Sequence, residues 1–308
     1  MDEQTAVTRR TALGALAAGA GVVGLAACAP RGTTPDDAGT AGSAAGDTAP
    51  DGASPDDASP DDASGDDAGA EESAGSSRRL VIAGDSTAAE KPDYLYPMAG
   101  WGMALPFYTT SRLRVENRAQ NGRSSKSFIA EGHLAGIAED LGGDDVLVIQ
   151  FGHNDEIPDD ARRSTEPWST FQQMLREHLD VARAAGAEPV LATPTERRRI
   201  VDGELVATHG DYPDAVRAVA EEEGVALLDL QRRTLERWRE LGPEKSGRCF
   251  HSRDGQQDPT HFSVHGAGVV ARMVAEGLLD LGVVRSTVFR RLDRAPAEED
   301  LSWDLEEL

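Results

Sequence analysis

Four short segments carry the residue types needed to cleave an ester: Gly84-Asp85-Ser86-Thr87, Asn121-Gly122-Arg123-Ser124, Gly152-His153-Asn154-Asp155 and Asp258-Pro259-Thr260-His261. Ser86 offers a hydroxyl nucleophile directly after a short apolar run, where the carboxyl edge of a sheet presents groups to a ligand. A helix starting there would aim its positive dipole at the hydroxyl, although a serine in such a place also serves as a helix N-cap. Asp258 and His261 stand three residues apart. One turn of local structure can bring the carboxylate to one ring nitrogen and leave the other facing outward as a base. Gly122 lets a backbone N–H approach a ligand closely, and Asn154 adds an amide donor. With the Ser86 N–H these two would hold the oxyanion of a tetrahedral intermediate, while Asn-Gly by itself is an ordinary turn signal.

The elements that must position these groups are visible as apolar runs. Leu80-Val81-Ile82-Ala83, Val146-Leu147-Val148-Ile149, Val190-Leu191-Ala192 and Ala226-Leu227-Leu228 read as strands buried on both faces, with a fainter one from Leu113 to Val115. Between them, residues 170–185 and 211–223 have helical spacing, the first with Phe171, Met174, Leu175 and Val181 on one side and the second with Val216, Val219 and Ala220. A last helix is expected from about His265 to Leu281, packing through Val269, Val270, Met273, Leu278 and Leu279. Strands alternating with helices imply a doubly wound α/β domain with a parallel central sheet. Ser86 then follows the first strand, Asn154 a middle strand, and His261 lies just before the last helix.

Other side chains carry weaker expectations. Trp101 is a platform for a sugar ring or a core residue. His153 and His209 are candidates for substrate contact or for structural hydrogen bonds. Arg123 and Arg197 to Arg199 could meet a ligand carboxylate through paired hydrogen bonds, or be solvated surface charges. Cys249 reads as a buried or neutral thiol rather than a nucleophile.

The chain has 308 residues and a formal net charge of −23. Residues 1–27 resemble a twin-arginine export signal: Arg9-Arg10 precede seventeen uncharged residues, Thr11 to Ala27, too few and too weakly apolar to span a bilayer. Leu25-Ala26-Ala27-Cys28 resembles a bacterial lipobox, so Cys28 is expected to be lipidated and to anchor the protein to a membrane, the alternative being a soluble secreted protein. Residues 28–77 are Ala, Gly, Ser, Pro and Asp almost throughout, with Ala-Ser-Pro-Asp-Asp repeated at Ala53 and Ala58. Such a segment has no side chains with which to build a core and reads as a disordered acidic linker. Its r.m.s. reach is roughly 35–40 Å, enough to hold a domain off a surface. A catalytic domain is expected over 78–285 and an acidic C-terminal extension over 286–308. With Cys28 lipidated, Cys249 has no disulfide partner. The acidity excludes nucleic acid as a partner, since phosphates require a positive surface.

The segments resemble the blocks of the SGNH (GDSL-type) hydrolase superfamily, and within it the rhamnogalacturonan acetylesterase-like branch. The resemblance rests on Gly84 to Ala88, Trp101-Gly102, Gly122 to Phe128, Gln150 to Asp155, His209 to Pro213, and Asp258 to His261 followed by Gly266-Ala267. It covers roughly residues 79–282 and implies a flavodoxin-like three-layer α/β/α fold. It further implies Ser86 as nucleophile, His261 as base, Asp258 as its partner, and Gly122 and Asn154 as oxyanion donors, with no metal or other cofactor. The substrate class implied is acetylated plant cell-wall polysaccharide. Two alternatives stand beside this: an esterase or lipase of the same fold acting on simple acyl esters or other acetylated glycans, and a non-catalytic glycan-binding lipoprotein.

Overall fold

The computed structural model describes residues 78–303; the expected export signal, Cys28 and the linker lie outside them, as do residues 304–308. In chain order the strands are β1 (Arg78–Gly84), β2 (Met98–Ala99), β3 (Leu113–Asn117), β4 (Val146–Gln150), β5 (Glu188–Ala192), β6 (Ile200–Val201), β7 (Glu204–Leu205), β8 (Ala226–Leu228), β9 (Phe250–Arg253) and β10 (Gln256–Ser263). The helices are α1 (Trp101–Ala104), α2 (Ser125–Ala130), α3 (His133–Ala138), α4 (Gln172–Ala185), α5 (Tyr212–Glu223), α6 (Leu230–Ser246) and α7 (Val264–Asp280).

Five strands form a parallel sheet in the order β3-β1-β4-β5-β8. Successive side chains of a strand point to opposite faces, so each apolar run feeds two cores. Leu80, Ile82, Val146 and Val148 pack with Trp101, Trp238, Val270 and Val274 of α1, α6 and α7. Val81, Ala83, Leu147 and Ile149 pack with Phe128, Ile137, Leu175 and Val216 of α2 to α5. Each such fully buried aliphatic side chain stabilises the fold by about 1.5–3 kcal/mol. The result is the expected flavodoxin-like three-layer arrangement, whose strand order reverses direction at β1. A crevice opens there, outside the carboxyl ends of β1 and β4.

A second, antiparallel sheet, β2-β10-β9, delivers the Asp258–His261 segment. Pairing of β10 with β9 is interrupted between Gln257 and Phe262. The four residues between leave the ladder, and this frees them to turn towards β1. Immediately after, α7 starts with Ser263 Oγ accepting from Gly266 N. A Cβ on Gly266 would lie 1.8 Å from the Cys249 carbonyl oxygen, so only glycine lets this helix seat against the segment before β9.

Several expectations change. No regular helix begins at Ser86; a single turn closed by the Ala88 and Ala89 amides on Asp85 O follows β1 instead. A π-helical turn at Pro167–Phe171 precedes α4, which buries Leu175, His178, Leu179 and Ala182 while Met174 and Val181 are half-buried. On α7, Met273 and Leu279 pack half-buried against the core as expected, and Val274, not among the expected packing residues, is fully buried beside them. The C-terminal extension packs on the same body as far as it is described: Phe289 pairs with Thr109, Leu301 is buried, and Trp303 Nε1 donates to Met98 O at 2.9 Å.

Candidate active site

Ser86 Oγ lies 2.9 Å from His261 Nε2, and His261 Nδ1 lies 2.8 Å from Asp258 Oδ2. The Asp258 side chain also accepts from the backbone amides of Thr260 (2.7 Å) and His261 (2.9 Å), and this local turn sets the ring's angle. Burial pushes the Asp258 carboxyl up, but the hydrogen bonds from the His261 ring and amide outweigh it and hold the group down at about 2. Asp258 is therefore an anion facing the Nδ1 proton, which leaves Nε2 bare toward the serine hydroxyl. A hydroxyl, an imidazole acceptor and a fixed carboxylate in this sequence can transfer the serine proton as an acyl group is attacked.

Beneath Ser86, Asp85 is fully buried and ionised. Its Oδ1 accepts from Thr87 N (2.9 Å) and Thr87 Oγ (2.7 Å), and its Oδ2 from Gln150 Nε2 (3.2 Å) and His153 Nδ1 (3.1 Å). Trp101 Nε1 donates to Gln150 Oε1 at 2.9 Å and is wholly buried, so it is a strut for this network and not a platform for a sugar. Burial pushes the His153 ring below its ordinary value, so it is neutral with its proton on the nitrogen facing Asp85. His153 borders the same cavity as Ser86, and its other nitrogen is an acceptor without a partner among the described residues.

The cavity over Ser86 has a volume of about 460 Å³ and is bordered also by Lys91, Gly122, Asn154, Arg197, Thr260 and His261. Gly122 has a positive φ of 75°, a left-handed conformation that favours glycine and turns the loop after β3 toward Ser86. Asn154 donates one amide proton to Arg123 O at 3.0 Å. Its Oδ1 accepts from Arg163 Nη1 at 3.3 Å, which fixes the amide orientation and leaves the second N–H for the cavity.

Two positioning residues escaped the sequence reading. Lys91 is buried; its Nζ donates to Ser86 O and, at 2.5 Å, to Asn121 Oδ1, tying the serine turn to the Gly122 loop. Burial pulls its ammonium down to about 8 against the opposing pull of Asp85, Glu90 and Asp258. Arg163, paired with Asp160 at 2.7 Å, reaches both Asn154 Oδ1 and Gly122 O (3.4 Å). It links the two candidate oxyanion donors. Arg163→Gln should lower kcat on an aryl acetate by about 10–100-fold, a fraction of the 10²–10³ seen when an oxyanion donor is lost outright. KM should stay near the parental value; a kcat within twofold of the parent would remove Arg163 from the site.

Other expected contacts fall away. His209 is buried, its Nε2 donating to Thr195 O at 2.9 Å, and it does not border the cavity. Arg123 pairs with Glu131 at 2.7 Å and lines a separate depression with Arg162 and Arg163. Arg197 borders the cavity, but its guanidinium is paired with Glu156 and donates to Thr260 Oγ at 3.3 Å, bracing the His261 turn. Arg198 donates to Ser246 Oγ and Pro243 O, and Arg199 is exposed. Cys249 is fully buried, and burial pushes its thiol up to about 11, the inert state expected of it. Among the described residues no cluster of His, Cys, Asp or Glu is arranged to hold a metal ion.

A doubly wound α/β fold with a hydroxyl, imidazole and carboxylate in line at its switch point defines the class of α/β hydrolytic proteins built on such a site. The GDSL-like lipase/acylhydrolase family matches residues 82–301, and the chain belongs to it. It is 43% identical over 215 residues to the rhamnogalacturonan acetylesterase RhgT of Bacillus subtilis strain 168, covering 67% of this chain and 91% of that protein. The probable rhamnogalacturonan acetylesterase YesY of the same organism is 38% identical over 207 residues, covering 67% of this chain and 95% of the relative. The crystal structure of YxiM from Bacillus subtilis superposes with a TM-score of 0.60 at 28% identity, over 68% of this chain and 58% of that one. The chain is a carboxylic ester hydrolase of the rhamnogalacturonan acetylesterase-like branch.

Proposed function

We propose that the enzyme removes O-acetyl groups from a rhamnogalacturonan-like cell-wall polysaccharide through an acyl-enzyme formed on Ser86. The observation that carries the mechanism is the continuous Ser86–His261–Asp258 array at 2.9 and 2.8 Å, in a cavity bordered by Gly122 and Asn154. His261 takes the Ser86 proton as Oγ attacks the acetyl carbon; Gly122 N, Ser86 N and Asn154 Nδ2 stabilise the oxyanion; the imidazolium returns its proton to the departing sugar oxygen. Water then repeats the sequence on the acetyl-enzyme. The polysaccharide is supported by the names of the two relatives above.

Leu95, Met98 and Ile157 give the cavity an apolar wall, which favours a second reading in which longer simple acyl esters are hydrolysed. Acetate release from acetylated rhamnogalacturonan, acetylated xylan and aryl esters of increasing chain length separates the two. The first reading expects the highest kcat/KM on the pectic polymer. A preference for butyrate or longer aryl esters would favour the second, and no turnover on any of them would leave a glycan-binding role.

Export by the twin-arginine route and lipidation at Cys28 are proposed on the residues around Arg9-Arg10 and Ala26-Ala27-Cys28. Cys28→Ser should move the protein from the membrane to the soluble fraction after cell lysis. Unchanged membrane partitioning would remove Cys28 as the anchor.

A further inference from the structure

Beside the Ser86 cavity lies a larger one of about 580 Å³ that also borders Asp258 and His261. The two share Leu95, Met98, Asp258 and His261, so they form one cleft that passes over the reacting histidine. The second cavity is walled by the β9–β10 hairpin, which contributes His251, Arg253, Asp254 and Gln256. A simple acetyl ester reaching Ser86 has no need of this space. A polymer does, because the sugars flanking the acetylated one must lie somewhere along the cleft.

The donors there are unspent. His251 is only 6% exposed, yet neither ring nitrogen has a hydrogen-bond partner among the described residues, and Nδ1 is sealed from solvent. An N–H sealed without an acceptor is the costlier arrangement, so the ring proton resides on Nε2, the nitrogen left to face the cavity. Arg253 is exposed and makes no ion pair among the described residues, whereas Arg123, Arg163 and Arg197 nearby are each matched by Glu131, Asp160 and Glu156. Asp254 and the ionised Asp258 border the same cavity without pairing with Arg253, so in a chain of net charge −23 Arg253 is the cation there left to meet an anionic polymer.

We propose that this cavity is a second sugar subsite, which receives the carboxylate of a uronate residue flanking the acetylated sugar through the Arg253 guanidinium and His251 Nε2–H. Asp254 and Gln256 offer acceptors and an amide to the hydroxyls of the same residue. The inference rests on the polysaccharide reading of the active site and adds a charge requirement to it.

The test compares acetate release from acetylated rhamnogalacturonan oligosaccharides with release from the same oligosaccharides after chemical reduction of their carboxyl groups to primary alcohols. Loss of a charge-assisted hydrogen-bond pair should lower the parental kcat/KM by about 10–100-fold on the reduced substrate, chiefly through KM. Arg253→Gln should act on both substrates at one similar, lower rate, and His251→Leu should narrow the preference. Equal parental rates on the two oligosaccharides, or a full preference kept by Arg253→Gln, would overturn the subsite and leave the esterase reading standing. No release from either oligosaccharide, with turnover of acetylated xylan, would overturn both. The parental comparison requires no variant, and Arg253 is exposed, so folding does not confound the result.

Discussion

Ser86→Ala is expected to lower kcat on every acetyl ester by about 10⁶-fold, the size seen when the serine of such an array is removed. The hydroxyl already stands against a base: among the described residues the partner of Ser86 Oγ is His261 Nε2, at 2.9 Å. Nothing else at the site replaces it, since the only cysteine of the described residues is buried and its thiol pushed up to about 11. The fold should be unaffected. One hydrogen bond at a cavity wall is lost, a change of about 1 kcal/mol, and the vacated space opens to water. Thermal unfolding of both proteins, alongside single-turnover acetate release, separates the two effects. A folded Ser86→Ala protein retaining more than a few per cent of the parental rate would place the nucleophile elsewhere.

Asp258→Asn is expected to lower kcat by about 10³–10⁴-fold, with KM for an aryl acetate nearly unchanged. The amide would offer an N–H to His261 Nδ1 and push the ring proton to Nε2, where it blocks acceptance of the serine proton. The pH dependence follows from the position of Asp258. Its carboxyl is depressed in the folded protein, to about 2, by hydrogen bonds that outweigh burial. The stability from this pairing is therefore complete above the ordinary carboxylate range, ~3.8, and is lost as pH falls towards about 2. Above the ordinary carboxylate range Asp258 stays ionised, so its titration does not shape the pH dependence of parental activity there. A pH–rate profile of both proteins checks this. Parental turnover in Asp258→Asn would show that this carboxylate does not orient the histidine.

Much of the fold was legible because its signals are local. Four-residue apolar runs such as Val146-Leu147-Val148-Ile149 fit strands buried on both faces, and their alternation with helices pointed to a parallel sheet between helix layers. Asp258 and His261 were legible as a pair because three residues separate them, a spacing that one turn closes. Ser86, Gly122 and Asn154 were legible by following strands whose ends must share a crevice.

Residues whose partners lie far along the chain and which sit in no motif of their own were not legible. Lys91 meets Asn121 at a separation of 30 residues, Arg163 meets Gly122 at 41 and Trp101 meets Gln150 at 49. A charged side chain in a loop has no periodicity, and burial turned Trp101 and His209 inward where the sequence left a choice between substrate and core. The sequence by itself determined which groups could do the chemistry and which strands would carry them, since residue type and short spacing suffice for both. Only the tertiary structure decided which cations are spent on internal partners and which face the cleft, because ion pairing depends on distances between segments that the chain joins through whole layers of the fold.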